Sequence, residues 1–324
     1  MNEIILSVIA VILGFLLLVW GADRFVHGAS ATARNLGISP LIIGLTIVGF
    51  GTSAPEILVS IVAALDGNPG LAVGNALGSN ITNIALVLGA TALITPLVVK
   101  SEILRREYPA MFAVMLLALA LIMDGELSRT DGTILLLGLC LMIYWMIMIG
   151  LRKNRVDPME YEYAQEIPLI STQKALLWLL AGFLVLLFSS RILVWGSINV
   201  AHALGVSDLV IGLTIVAIGT SLPELAASVM SALKKEPDIA IGNVIGSNMF
   251  NLLAVLGTPA VIAPIPLESG VLTRDYPFMI GLSIALFIMA YGFRDNGRIN
   301  RIEGGLLLLA YVAYLAVLYH SIRG

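Results

Sequence analysis

Charge is scarce in this sequence. The 324 residues include 18 Lys and Arg and 21 Asp and Glu, which is 12% of the chain, whereas a soluble domain carries about 25%. The mean hydropathy of +0.98 points the same way. These values exclude a soluble globular enzyme as the default class, and the apolar excess also excludes a disordered chain.

The chain has no excess of basic residues, and cysteine and histidine are scarce as well. The formal net charge is −3, so the chain lacks the basic surface that nucleic-acid binding requires. The single cysteine, Cys140, excludes an internal disulfide framework and a cysteine metal cluster. The three histidines fall at the ends of apolar runs or in loops, and Ser53 has no nearby histidine base. We therefore expect neither an enzyme nor a bound cofactor.

Long uncharged runs are abundant instead. A membrane helix needs about 20 mostly apolar residues, and ten segments of the chain come near or exceed that length. The predicted fold class is an all-α polytopic membrane protein with ten transmembrane helices. The predicted spans are 4–22, 35–65, 67–99, 108–123, 132–151, 175–207, 209–233, 239–267, 276–293 and 304–322.

The basic residues predict an orientation. Of the 18 Lys and Arg, 14 lie in the loops between spans 1–2, 3–4, 5–6, 7–8 and 9–10, and such residues mark cytoplasmic loops. The sequence therefore predicts a multi-pass protein of the plasma (inner) membrane with both termini on the outer face. The segment 151–174 mixes both charge signs and is interpreted as a cytoplasmic linker. The lipid bilayer is the expected partner, and no obligatory protein partner is evident.

The sequence contains an internal duplication. Segment 41–89 aligns with 209–257 at a constant offset of 168 without a gap, and 26 of the 49 pairs are identical. The offset continues to Arg106-Glu-Tyr-Pro109 and Arg274-Asp-Tyr-Pro277. Similar composition alone does not preserve such motifs without an insertion or deletion. We therefore divide the chain into two halves, 1–150 and 175–324.

Each half contains five predicted spans. Because five is odd, the second half enters the membrane from the opposite side, and the halves form an inverted-topology repeat. Such repeats are typical of secondary transporters, whose substrate sites lie near the membrane midplane at the repeat interface.

Two glutamates, Glu56 and Glu224, lie deep inside predicted spans at equivalent positions. A charge at the bilayer centre costs about 2.5–3.5 kcal/mol even on the lenient insertion scale. A protonated structural glutamate, or a helix–helix hydrogen bond, is the alternative explanation. Two equivalent intramembrane carboxyl groups favour a functional site.

The neighbours of both glutamates are rich in oxygen. Thr52 and Ser53 precede Glu56 by four and three residues, so their oxygens share one helix face with the carboxylate. A hard cation such as Ca²⁺ takes 6–8 oxygen ligands, and the absence of Cys and His from the motifs argues against zinc or copper. The candidate side-chain ligands are Thr52, Ser53, Glu56, Ser79 and Asn83 in the first half and Thr220, Ser221, Glu224, Ser247 and Asn251 in the second.

Two further asparagine pairs, Asn75/Asn243 and Asn80/Asn248, are also equivalent between the halves. For these, interhelical hydrogen bonding or tight packing beside glycine is at least as good an explanation as ligation.

Each glutamate motif also contains a helix breaker. Pro55 cannot donate to the carbonyl of Gly51, and Pro223 repeats the arrangement. An interrupted helix is tolerated inside a membrane where it faces protein or a water-filled cavity, and its freed carbonyls can bind a cation. An ordinary proline kink is the alternative.

Two ionised glutamates supply a charge of −2, which balances one Ca²⁺ or two Na⁺. Binding of both sets together would leave excess charge in a low-dielectric site, which is unfavourable. Competition at one site is the minimal requirement for exchange. Without a cation, mutual repulsion would favour a proton on one carboxylate, so a proton is also a credible counter-ion.

The paired Gly-Thr-Ser-x-Pro-Glu and Gly-Ser-Asn-x-x-Asn motifs resemble the alpha repeats of the sodium/calcium exchangers, in the calcium:cation antiporter superfamily. The resemblance covers essentially the whole chain and is greatest to the compact prokaryotic branch of ten helices. It implies alternating access around a central site, with spans 1 and 6 as long gating helices. It places the ion ligands on the ten side chains given above and on the backbone carbonyls of Gly49 and Ala217.

One departure from the family pattern bears on the coupling ion. Well-studied relatives often carry an aspartate at one of the two positions that Asn83 and Asn251 occupy here. The resemblance implies an antiporter that exchanges Ca²⁺ for Na⁺, and the two amides favour a Ca²⁺/H⁺ or other cation/H⁺ antiporter as the alternative. A cation channel is a third and less favoured interpretation. The ions are substrates in each case.

Overall fold

The computed structural model describes residues 2–65, 67, 69–100, 103–152, 170–204, 217–268, 270–291 and 297–323. Most of the predicted linker 151–174 and the first eight residues of the second repeat, 209–216, lie outside these ranges. The described part consists of helices, connecting loops and four strands of two residues each.

Fourteen α-helices and five π-helical turns make up the helical part of the described residues. The α-helices are α1 (Asn2–Leu36), α2 (Pro40–Ile43), α3 (Gly49–Leu65), α4 (Pro69–Thr82), α5 (Gly89–Ile94), α6 (Tyr108–Ile122), α7 (Arg129–Arg152), α8 (Thr172–Ala203), α9 (Ala217–Thr220), α10 (Leu222–Leu233), α11 (Pro237–Phe250), α12 (Gly257–Ile262), α13 (Tyr276–Tyr291) and α14 (Arg301–Arg323). The π-helical turns are Gly44–Val48, Asn83–Leu88, Ile103–Glu107, Asn251–Val255 and Val271–Asp275.

Eight helical stretches of the described chain are long and apolar enough to cross a membrane. The helix is favoured there because in lipid every backbone group needs a partner within its own segment. The two other predicted spans fall on shorter helices, namely α6, which follows a charged turn, and α10, which follows α9 and the undescribed residues. The eight stretches are Ile4–Leu36, Pro40–Leu65, Gly70–Ile94, Arg129–Met148, Thr172–Ala203, Pro237–Ile262, Val271–Tyr291 and Arg301–Ser321.

The first helix is much longer than the predicted span 4–22. α1 continues beyond Asp23 to Leu36, because a charged residue at the edge of a span leaves the lipid without ending the helix. The helix stops where Gly37 adopts a φ of +64°. The amide of Ile38 then donates to the carbonyl of Ala33 at 2.9 Å, as in a Schellman C-cap.

The two longest helices, α1 and α8, pack against each other along most of their length. A Cβ on Gly28 would lie 2.3 Å from the backbone nitrogen of Leu179, and a Cβ on Gly182 would lie 2.3 Å from that of Phe25. The partner numbers fall along α8 as they rise along α1, so the pair is antiparallel. Glycine permits this close approach of two backbones, as is usual between membrane helices.

The stretch Pro237–Ile262, which contains α11 and α12, is the buried centre of the molecule. It packs against the π-helical turn Gly44–Val48, against α3 and against α6. Large apolar side chains of α1 and α8, such as Phe15 and Phe188, are instead exposed. This inside-out distribution fits a bundle whose outer surface contacts lipid.

Contacts between the halves are reciprocal at the offset of 168. The hydroxyl of Tyr108 donates to the carbonyl of Ser283, and the equivalent Tyr276 donates to the carbonyl of Met115 at 2.7 Å. The strands follow the same rule, since each half pairs its first strand with the second strand of the other half. β1 (Leu97–Val98) pairs with β4 (Arg298–Ile299), and β2 (Glu126–Leu127) pairs with β3 (Ile265–Pro266).

Ion pairs join the loop between α10 and α11 to its surroundings. Lys234 lies 2.7 Å from Asp23 of α1, and Lys100 lies 2.7 Å from Asp238 at the start of α11. Glu236 lies between these two pairs. Burial raises the pKa of Glu236 to about 7, and repulsion from the Asp238 carboxylate adds to the shift, which Lys100 partly opposes.

We predict that Glu236 makes stability fall as the pH rises from about 4.3, the ordinary pKa of glutamate, to about 7. Over that window the folded chain binds more protons than the unfolded chain, so the free energy of unfolding decreases with pH. Glu236→Gln is neutral throughout and removes this loss. In detergent, the variant should therefore gain thermal stability over the parent at pH 8 but not at pH 5. Glu126→Gln, which changes an exposed carboxylate, is the control, and an unaltered pH profile in Glu236→Gln would contradict the prediction.

Candidate cation-binding site

Glu56 and Glu224 both lie in the buried interior, on α3 and α10, and each side chain is 1% exposed. α3 and α11 approach closely near them, because a Cβ on Gly49 would lie 3.1 Å from the backbone nitrogen of Ser247. The π-helical turn before α3 comes still closer, since a Cβ on Gly44 would lie 2.7 Å from the carbonyl oxygen of Ile239. The glycines of the repeat therefore bring the two motif regions together.

Several carboxylate oxygens in this interior have no hydrogen-bond partner among the described residues. Both oxygens of Glu56 and Oε2 of Glu224 belong to this group. An ionised carboxylate in a low-dielectric interior is stable only when it is paired or coordinates a cation. These unpaired oxygens therefore mark the place where positive charge would be most stabilised.

Thr52 links the two halves beside the glutamates. Its hydroxyl donates to Oδ1 of Asn243 at 3.0 Å and also lies 3.4 Å from the hydroxyl of Ser247. Ser247 in turn donates to the carbonyl of Gly49 at 3.3 Å. The structure thus brings together Thr52, Ser247 and the Gly49 carbonyl, three of the predicted ligand groups.

Glu224 contacts the first half through Ser53, whose hydroxyl donates to Oε1 of Glu224 at 3.5 Å. Ser53 lies three residues before Glu56 on α3, so this hydroxyl joins the helix of one glutamate to the carboxylate of the other.

Asn75 and Asn243 connect helices. Nδ2 of Asn75 donates to the carbonyl of Glu56 at 3.1 Å and to the hydroxyl of Ser60 at 3.0 Å. Nδ2 of Asn243 makes the equivalent bonds, to the carbonyl of Glu224 at 3.3 Å and to the hydroxyl of Ser228 at 2.9 Å. The interpretation of this pair as interhelical hydrogen-bonding residues agrees with the geometry, and each asparagine fixes the backbone that carries a glutamate.

Asn83 and Asn251 each begin a π-helical turn, a feature that often occurs at functional sites. Nδ2 of Asn83 donates to Oδ1 of Asn248 at 3.2 Å, and its own Oδ1 has no partner among the described residues. Both polar atoms of Asn251 are likewise unpartnered there.

The remaining predicted ligands are Ser79, Thr220, Ser221 and the backbone carbonyl of Ala217. Ser79 and Ser221 are buried, with 5% and 2% exposure, and Ser221 Oγ has no partner within the described part of the chain. Thr220 is half-buried. Ala217 is the first residue of α9 and directly follows undescribed residues, so its predicted carbonyl ligation stays a prediction.

The predicted helix interruption is wrong in the first half. Pro55 lies inside the continuous helix α3, because the turn can lose one hydrogen bond and bend without ending, and the wider π-helical turn precedes it at Gly44–Val48. In the second half the helix does break, at Ser221, which has φ −90° and ψ 8° and separates α9 from α10.

The chemistry of these groups suits a hard cation. Among the described residues no cluster of three or more His, Cys, Asp or Glu could hold a metal ion, so the two glutamates would be joined by neutral oxygens. Hydroxyl, amide and carbonyl oxygens with one or two carboxylates are ligands that Ca²⁺ and similar ions use.

The sequence motifs did not single out Met111 and Met279. Their sulfur atoms accept hydrogen bonds from Asn248 and Asn80, at 4.0 Å and 3.5 Å. Their offset of 168 residues was the signal that could have singled them out.

These observations define an integral membrane protein with a buried, carboxylate-containing site between two duplicated halves. The model of the family described as "Sodium/calcium exchanger protein" matches residues 6–148 and 174–320. The chain belongs to this family of cation exchangers, and the resemblance inferred from the motifs is confirmed.

Two curated relatives match the chain over nearly its whole length. The putative antiporter CaxA of Alkalimonas amylolytica is 49% identical over 318 residues, which cover 98% of this chain and 100% of the relative. The inner membrane protein YrbG of Escherichia coli is 41% identical over 318 residues and 97% of each chain.

A solved structure shares the fold. The sodium-calcium exchanger NCX_Mj, soaked with Na⁺ and Sr²⁺, superposes with a TM-score of 0.82 at 32% identity, over 97% of this chain and 99% of that one. The match confirms that the helical membrane fold is that of an exchanger.

Proposed function

We propose that the protein is a secondary active antiporter that exchanges Ca²⁺ for Na⁺ by alternating access at the site between Glu56 and Glu224. The observation that carries this proposal is the pair of equivalent, fully buried glutamates with unpaired oxygens. One Ca²⁺ or two Na⁺ would neutralise the two glutamates. Binding of Ca²⁺ and Na⁺ together would leave excess positive charge in a low-dielectric interior, so each ion excludes the other. No covalent step is involved.

The proposed ligand set comprises the ten side chains predicted from the motifs and the carbonyls of Gly49 and Ala217. The hydrogen-bond links among Thr52, Ser247 and Gly49, and between Ser53 and Glu224, support a single composite site. Ca²⁺ requires 6–8 oxygens, and the set contains more than enough.

We propose further that the chain has ten spans in two inverted five-helix halves, 1–150 and 175–324, joined by the linker 151–174. Reciprocal contacts at the offset of 168 and the antiparallel α1–α8 pair support this arrangement. The inter-loop contacts also agree with it, because both strand pairs and both inter-loop ion pairs join loops that it places on one side of the membrane.

Proton coupling is the second candidate, and one observation favours it. Asn83 and Asn251 are both amides, so the site holds two carboxylates within the described residues. Repulsion between close carboxylates favours protonation of one of them. Ca²⁺ can then displace one proton or more from the pair, so that exchange needs no sodium.

We predict that neutralising either central glutamate abolishes transport. In proteoliposomes, Glu56→Gln and Glu224→Gln should reduce Ca²⁺ uptake driven by an imposed ion gradient to the level of protein-free vesicles, because half of the site's negative charge is lost. Glu126→Gln, at an exposed loop carboxylate, is the matched control and should transport normally. Intact exchange in both central variants would show that the site is elsewhere. Saturable counterflow of isotopic Ca²⁺ separates the exchanger from a channel.

We predict that Na⁺ is the coupling ion, and separately imposed sodium and pH gradients test this prediction. A sodium gradient imposed without a pH difference should drive Ca²⁺ uptake into proteoliposomes that contain the parent protein. If only a pH gradient drives uptake, sodium coupling is wrong and the proton-coupled alternative replaces it.

The predicted orientation places both termini on the outer face of the plasma membrane. In a Cys140→Ser background, Asp124→Cys should react with a membrane-impermeant maleimide on intact cells, whereas Arg298→Cys should react only after lysis. Both positions are exposed and lie in loops that the proposal assigns to opposite sides. The reverse labelling pattern would overturn the orientation.

A further inference from the structure

Four buried asparagines belong to elements that pack against the helix of one central glutamate or the other, and two of them donate hydrogen bonds to methionine sulfur atoms. Asn80, Asn83, Asn248 and Asn251 are each 1% exposed. Their hydrogen bonds join α4 and the turn that follows it to α11, and they end on the sulfur atoms of α6 and α13. The four amides are neutral, so their orientation decides which end faces the proposed site.

An amide has two unlike ends. Its oxygen accepts hydrogen bonds and binds cations, whereas its NH₂ group only donates. An amide that turns its nitrogen towards a cation would repel the cation. A carboxylate has no such problem, because both of its terminal atoms are oxygens. A site that uses an amide ligand therefore needs a neighbouring group that holds the amide with its oxygen towards the cation.

Met111 fixes the orientation of Asn248. A thioether sulfur can accept a hydrogen bond but has no hydrogen to donate, so the group that faces it is the NH₂ end of the amide, at 4.0 Å. The equivalent Asn80 donates to Met279 at 3.5 Å. Both sulfur atoms select the same orientation of the amide, and for Asn248 this turns Oδ1 towards Asn83.

Asn248 then fixes the orientation of Asn83. Its Oδ1 can only accept, and it receives the hydrogen bond from Nδ2 of Asn83 at 3.2 Å. The carbonyl end of Asn83 is left without a partner in the described part of the chain. The NH₂ group of Asn83 thus donates to Asn248, and the NH₂ group of Asn248 donates to the sulfur of Met111. The carbonyl oxygen of Asn83 stands at the end of this series.

We propose that Asn248 is a positioning residue that presents the oxygen of Asn83, rather than its nitrogen, to the transported cation, and that Met111 anchors Asn248. The inference rests on the proposed function of the site. It concerns residues that bind no ion themselves and that act through Asn83.

The equivalent residues at the offset of 168, Met279, Asn80 and Asn251, do not form the same bond. Oδ1 of Asn80 and both polar atoms of Asn251 have no hydrogen-bond partner among the described residues. The orientation is therefore fixed in the set Met111, Asn248 and Asn83, and the experiment addresses these residues.

The test is a thermodynamic cycle read by Ca²⁺ binding to the purified full chain, measured by calorimetry. Asn248→Leu should weaken Ca²⁺ binding about fivefold or more, since the buried NH₂ of Asn83 loses its acceptor whenever the oxygen faces the cation. In an Asn83→Asp background the same Asn248→Leu change should cause no loss, because a carboxylate needs no orientation. An equal loss in both backgrounds would identify a merely structural role and overturn the proposal.

A second variant covers the case in which Asn248→Leu does not fold. Met111→Leu conserves volume but removes the sulfur acceptor, and it should weaken Ca²⁺ binding in the same direction by a smaller factor. Ser283→Ala is the matched control, since Ser283 also bonds to a buried methionine sulfur, that of Met115, at 3.4 Å and should leave Ca²⁺ affinity unchanged. Unchanged affinity in Met111→Leu and in every folded Asn248 variant overturns the positioning role alone. Failure of the parent protein to bind Ca²⁺ overturns the proposed function as well.

Discussion

The burial of two carboxylates in an apolar helical bundle is the constraint on which the rest of the structure depends. Glu56 and Glu224 are almost completely inaccessible, and a charge inside a membrane costs several kcal/mol on most scales, about 2.5–3.5 on the most lenient one. Among the described residues, both oxygens of Glu56 and Oε2 of Glu224 have no hydrogen-bond partner. A cation offsets that cost directly, and a proton offsets it by removing the charge. The fold therefore buries two carboxylates that are stable only when neutralised, and in the proposed antiporter this requirement would couple binding of one ion to release of another.

Bringing oxygens from both halves to the same point requires helices that almost touch. Gly44 and Gly242 approach each other closely, since a Cβ on Gly242 would lie 3.1 Å from the Cα of Gly44. Gly49 allows α11 to approach closely enough for Ser247 to bond the Gly49 carbonyl. Once these backbones are in contact, Asn75 and Asn243 fix the backbone of each glutamate through its carbonyl. Glycines allow the close approach of the helices and the asparagines join them, so that in the proposed site the carboxylates remain available to a cation.

Much of this was predictable because the signals are periodic or repeated. Long apolar runs predict helices, and the constant offset of 168 singles out Glu56 and Glu224 as a pair. The length of α1 was not predictable from charge, since Asp23 and Arg24 mark the edge of the lipid and not the end of the helix, which depends on Gly37. The continuity of α3 through Pro55 was not predictable either, because a single lost hydrogen bond in a packed interior can leave a helix bent but intact. The sulfur contacts of Met111 and Met279 depend on tertiary packing that no local pattern encodes.

The two halves have equivalent chemistry but not equivalent conformations. The helix is continuous through Pro55 yet broken at Ser221, and Asn83 is bonded to Asn248 while Asn251 is not bonded to Asn80. The two halves also differ in sequence beside the glutamates, with Ala54 against Leu222 and Gly49 against Ala217. The proposed alternating access would supply a further reason, since inverted repeats that open to one side at a time differ in conformation at that moment. In such a molecule the duplicated residues provide two equivalent contacts. Breaking one and forming the other would turn the site towards the other side of the membrane.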